Sequence, residues 1–219
     1  MSFYQQLQQA TAGERATLLA SPVITAALSG AVRRSHYLSF LERAFHHVKH
    51  TVPLLMACGA RLPDHQEWLR GAIAHYIEEE IGHHEWILND IAAAGGDAAA
   101  VRASAADFDT EVMVAYAYDQ VMRRNPVGFF GMVYVLEGTS VSLASNAAKV
   151  LQGAIDLPAT AFSYLSSHGA LDIEHLGDFE SLVNRLETQQ DRDAVVHCAK
   201  IFFRLYGNVL RSVNIEAGA

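Results

Sequence analysis

Cysteine is nearly missing from this chain. Cys58 and Cys198 are the only two in 219 residues. Two cannot build a disulfide framework; they read as free, buried thiols in a reducing compartment. Proline is scarce too, with five in all, so few helices are interrupted. Basic residues are outnumbered: 16 Lys and Arg against 24 Asp and Glu leave a formal net charge of −8. Phosphate backbones require a basic surface, and Arg33-Arg34 and Arg123-Arg124 are isolated pairs, so nucleic acid is not the expected partner. No apolar run reaches the ~20 residues of a bilayer span. Residues 1–9 show no basic segment leading into an apolar one, so no signal peptide is read there. A soluble, cytoplasmic protein is expected.

What the sequence does have is helix-forming residues. Hydrophobic residues make up 51%, enough for a sizeable core, and alanine and leucine are plentiful. Residues 3–30 read as short helices broken at Ala12-Gly13 and Ser21-Pro22. An amphipathic stretch over 33–58 carries Tyr37, Phe40, Leu41, Phe45, Val48 and Val52 at helical steps, with a kink expected at Pro53. One helix of some 30 residues is predicted over 65–94, ended by Gly95-Gly96. A short helix or loop follows over 97–106, and a helix over 108–123 is capped by Asp107 or Asp109. Asn125-Pro126 opens the next helix, which runs to about Gly153. Gly128, Gly131 and Gly138 inside it imply close approach of a backbone or ligand, or a bend. Pro158 opens another helix, and a last one covers 190–214. No strand alternation, repeat or linker appears. The expected architecture is all-α, one helical domain over 1–219 with seven or eight helices.

Three stretches carry chemistry. In His168-Gly-Ala-Leu-Asp172-Ile-Glu-His175, two histidines and a carboxylate stand at i, i+4 and i+7, which places them on one side of a helix. In Glu78-Glu79-Glu80-Ile81-Gly82-His83-His84, Glu80 and His83 form a Glu-x-x-His pair, with Glu79 and His84 as rivals on similar spacing. Glu137 is a lone acid in the apolar run Phe129 to Glu137, costly unless paired, hydrogen-bonded or bound to a cation. Glu80, His83, Glu137, His168, Asp172 and His175 make six ligands, a complement for two metal ions in a helical protein. Carboxylate and imidazole donors suit iron and would also accept manganese. His47, His50, Tyr76 and Tyr134 are candidate pocket residues. The ordinary alternatives are core tyrosines with bonded hydroxyls and structural or surface histidines. Lys149 is expected on a solvated face.

The order Glu-x-x-His, then Glu137 in an apolar helix, then His-x-x-x-Asp-x-x-His resembles the heme-oxygenase-like diiron oxidases. Leu136-Glu137-Gly138-Thr139-Ser140 is also similar to bacterial heme oxygenases of that fold. The resemblance runs from about Tyr37 to His175. It implies a seven-helix heme-oxygenase-like bundle with those six residues as iron ligands. It further implies two ferrous ions and dioxygen acting on a small amino acid or fatty acid derivative. The alternatives on the same fold are a heme-degrading oxygenase and a metal-free enzyme like TenA or PqqC. The first needs a proximal histidine on the first helix, and the N-terminal helices hold none. The thiaminase-like branch of the second needs an activated cysteine. A homodimer is the commonest assembly for such a chain.

Overall fold

The computed structural model describes residues 1–215, and within them every side chain except those of residues 142, 144, 145 and 168–176. Twelve α-helices and three 3-10 turns, with no strand, make up the described residues. The all-α class is as expected, and the helix number is higher than the seven or eight predicted. Three short helices open the chain: α1 (Phe3–Ala10), α2 (Ala12–Leu19) and α3 (Pro22–Ser29). Ser2 caps α1 reciprocally with Gln5, and Pro22 occupies the first turn of α3, where its missing N–H costs nothing.

The two long predicted helices are each split. The 33–58 stretch becomes α4 (Arg34–Val48) and α5 (Thr51–Arg61), broken at Lys49-His50 rather than kinked at Pro53. Pro53 is the third residue of α5, inside the first turn, where N–H groups have no intrahelical acceptor. The 65–94 stretch becomes a 3-10 turn (Asp64–Gln66), α6 (Glu67–Glu80) and α7 (His83–Ala93). Gly82, with φ 93°, turns the chain between them in a conformation other residues adopt poorly.

The remaining elements are α8 (Ala98–Ala103), α9 (Phe108–Arg123), α10 (Phe130–Ala154), α11 (Ser163–Asn184) and α12 (Gln189–Ser212). Of the two candidate caps it is Asp107 that caps α9, accepting from the Asp109 and Thr110 amides. Helix α10 is the hub: it packs on α11, α12 and α3, while α4 packs on α7 and α9, and α5 on α6 and α9. Its glycines divide. A Cβ at Gly131 would sit 2.5 Å from the Ala199 amide nitrogen and 2.6 Å from the Val195 carbonyl oxygen of α12. Close backbone approach therefore requires glycine there; Gly128, in the 3-10 turn just before α10, meets the Gln120 side chain instead. Among the described residues, a Cβ at Gly138 would meet nothing within 4 Å. No single helix among the described residues is long and apolar enough to cross a membrane.

Candidate metal centre and cavity

The break at Gly82 brings Glu80, the last residue of α6, beside His83, the first of α7. Glu80 Oε2 lies 3.2 Å from His83 Nδ1, and the two side chains are 10% and 3% exposed. The His83 ring lies against Trp86, with centroids 4.1 Å apart. Glu79 and His84 face outward instead. Glu79 pairs with His75 at 3.5 Å, and His84 lies 3.2 Å from its neighbour Glu85. The structure thus joins Glu80 with His83 in the interior and leaves their rivals at the surface.

Glu80 and Glu137 line one cavity of about 170 Å³. It lies between α3, α4, α5, α6, α10, α11 and α12, and its walls are mostly aliphatic and aromatic. Glu137 Oε2 is shielded from solvent, as is the hydroxyl of Tyr76, which stands one turn before Glu80 and faces the same space. Burial pushes the Tyr76 phenol far above its ordinary range, and the negative charges of Glu137, Asp178, Glu79 and Glu80 push it further. Tyr76 is therefore a neutral hydroxyl at any physiological pH.

The candidate pocket residues separate in the same way. His47 is buried on the cavity wall, edge-on to Tyr206 with ring centroids 5.7 Å apart. His50 does not line this cavity: at the α4–α5 break, it bonds Tyr118 of α9, Nδ1 to hydroxyl 3.1 Å. Tyr134 faces away from the cavity, packing among Tyr4, Phe179 and Phe203. It borders a second, more polar pocket with Arg15, Gln8 and Gly138. Lys149 is exposed, as expected. Both cysteines are buried, and burial pushes each thiol up to about 12.

His168, Asp172 and His175 lie on α11 outside the described side chains. Half of the six-residue ligand set is therefore visible. Among the described residues, no group of three or more His, Cys, Asp or Glu is placed to hold a metal ion. The visible half does fit one chemically. Two carboxylates, Glu80 and Glu137, border one low-dielectric cavity that has no described lysine or arginine in its lining. Buried like charges are costly, and a divalent cation shared with an imidazole offsets that cost. Oxygen and nitrogen donors of this kind suit iron or manganese.

Sequence reasoning overlooked three residues. Gly82 was hidden because Glu-x-x-His spacing also suits an unbroken helix. Trp86, which backs His83, is an ordinary aromatic in an amphipathic run. Asp90 is fully buried on α7, and the signal was an acid between apolar Ile87-Leu88 and Ile91.

A family model described as iron-containing redox enzyme matches residues 38–207. The chain belongs to the iron-containing redox enzyme family. Solved structures similar to this family member share its fold. A domain of unknown function with a heme oxygenase-like fold from Shewanella denitrificans superposes with a TM-score of 0.84 at 26% identity, covering 97% of this chain and 92% of that one. A TenA homolog from Pseudomonas syringae gives 0.79 at 12% identity, covering 96% and 92%. The heme oxygenase-1 of Synechocystis in complex with heme gives 0.73 at 14%, covering 98% and 93%. No curated protein matches the chain.

Proposed function

We propose that this member of the family is a non-heme, iron- and dioxygen-dependent oxidase that acts on a small organic substrate through a dinuclear iron site. The observation that carries the reading is the buried Glu80–His83 pair beside a cavity that Glu137 also lines. Glu80, His83 and Glu137 would hold metal from α6, α7 and α10. His168, Asp172 and His175 would complete the set from α11. When bound, such a centre supplies dioxygen reduction and the oxidation of a substrate carbon or nitrogen; manganese could occupy the same donors.

The chain's own residues do the rest. Leu55, Met132, Val133, Leu136 and Leu165 present an apolar wall that orients a hydrocarbon portion of the substrate and excludes bulk water. Tyr76 stays protonated and offers a neutral donor next to the carboxylates. Tyr206, which burial pushes up to about 12, and His47 offer polar contacts on the wall. The heme-degrading alternative lacks a histidine in α1–α3; α3 contributes Val23, Ile24, Ala27 and Leu28 to the cavity. Counting against the thiaminase-like alternative, neither Cys58 nor Cys198 lines the cavity, and burial raises both thiols.

Turnover should depend on added Fe(II) and dioxygen and disappear in His168→Ala and in Asp172→Ala. A double variant that still binds two irons per chain would sink the ligand assignment. A Soret band on adding heme, with slow conversion to a bile pigment, would replace this reading with heme degradation.

A further inference from the structure

Helix α11 begins without a cap of its own. Its N-cap residue, Phe162, makes no side-chain capping bond. The first-turn amides are satisfied from another helix. Asp90 Oδ1 accepts from the Ser163 amide at 3.0 Å and from the Ser163 hydroxyl at 2.5 Å, and Oδ2 accepts from the Tyr164 amide at 2.8 Å. All three donors converge on a carboxylate with no solvent exposure. The same junction is held from α4, where the Tyr37 hydroxyl donates to the Ala161 carbonyl at 2.7 Å and the Tyr37 ring stacks on Phe162.

Asp90 and His83 share a stripe. Seven residues on α7 bring the helix to within roughly 20° of its starting direction, and about 10 Å along the axis. Both side chains are buried, with Ile87 between them. One end of the stripe is thus the candidate ligand and the other grips the start of α11. Two consequences follow from the grip. Tyr164 and Leu165 line the cavity, so Asp90 fixes that wall. His168, Asp172 and His175 follow on the same helix, so the grip also sets where that helix starts relative to α7.

We infer that Asp90 is a positioning residue: it staples the His83-bearing helix to the helix carrying His168, Asp172 and His175, and so sets their register around the metal centre. This rests on the reading that α7 and α11 both supply ligands. A capping carboxylate is ordinarily a matter of stability alone. Here it also governs metal affinity and geometry. Asp90→Asn preserves size but turns an amide N–H toward one of the donor groups. Ser163→Ala removes a single bond and keeps the backbone pair.

The test is anaerobic Co(II) titration of the full chain, followed by its visible bands, with the melting temperature of each metal-free variant recorded alongside. The wild type should take two cobalt ions. Asp90→Asn should bind them roughly tenfold or more weakly, or lose one, with altered band positions. Ser163→Ala should fall between. Variants that melt lower yet bind two ions with wild-type affinity and bands would show Asp90 to be structural only. That result would overturn the inference and leave the oxidase reading intact. A wild type that binds no cobalt and no iron would overturn both.

Discussion

The two faces of α10 are built on opposite principles. On one face Gly131 lets α12 close down to backbone contact, and the space is filled. On the other, Met132, Val133, Leu136 and Glu137 stand back from α3, α4 and α6 and leave a cavity with an acid in its wall. The closed face produces stability. The open face gives stability up, since both the void and the buried acids cost free energy, and gains a site. One helix can serve both because its residues alternate between the faces within a turn.

That contrast can be broken from either side. The largest effect is expected at the closed face. Gly131→Ala should force α12 away and destabilise the protein by roughly 3 kcal/mol in urea unfolding. At the open face the sign reverses. Glu137→Gln should stabilise the metal-free protein by about 1 kcal/mol, by removing the desolvation cost of a buried carboxylate, and should abolish the rise in melting temperature on adding Fe(II). Gly138→Ala, where no described residue stands within 4 Å, should gain up to ~1 kcal/mol of helix propensity without affecting α12.

The smallest effect is titration. Burial lowers the pKa values of His36, His46 and His50 below the ordinary imidazole value of about 6.5, helped by Arg33 at His36 and by Lys49 at the other two. In the unfolded chain each takes up a proton near 6.5; in the folded chain only at lower pH. The stabilisation is present above 6.5 and is lost as pH falls through the depressed folded values. Urea midpoints should decline on acidifying from pH 7.5 to 5.5. A flat profile there would contradict the burial of these rings.

Local signals were legible to different depths. Asp107 at a helix start, the proline at Pro22 and the apolar stripe of α12 (Val195, Ala199, Phe202, Phe203) reappear as read, because each is decided by neighbours in sequence. The breaks at Lys49-His50 and Ile81-Gly82 do not announce themselves. Both interrupt amphipathic periods that continue beyond them, and tertiary packing chooses where the chain turns. In the site, the spacing of Glu80 and His83 showed which residue types could pair, and burial separated them from Glu79 and His84. The cavity could not be read at all, since its walls come from seven helices. The partners of Asp90 were hidden for the same reason: they are 73 and 74 residues away.

On the proposed reading, the open face of α10 borders a two-iron centre. Anaerobic Fe(II) titration followed by rapid mixing with dioxygen tests it most directly. Uptake of two irons per chain and a transient visible absorption band are expected. No iron uptake and no oxygen-dependent band would contradict the account and turn attention to the metal-free enzymes of this fold.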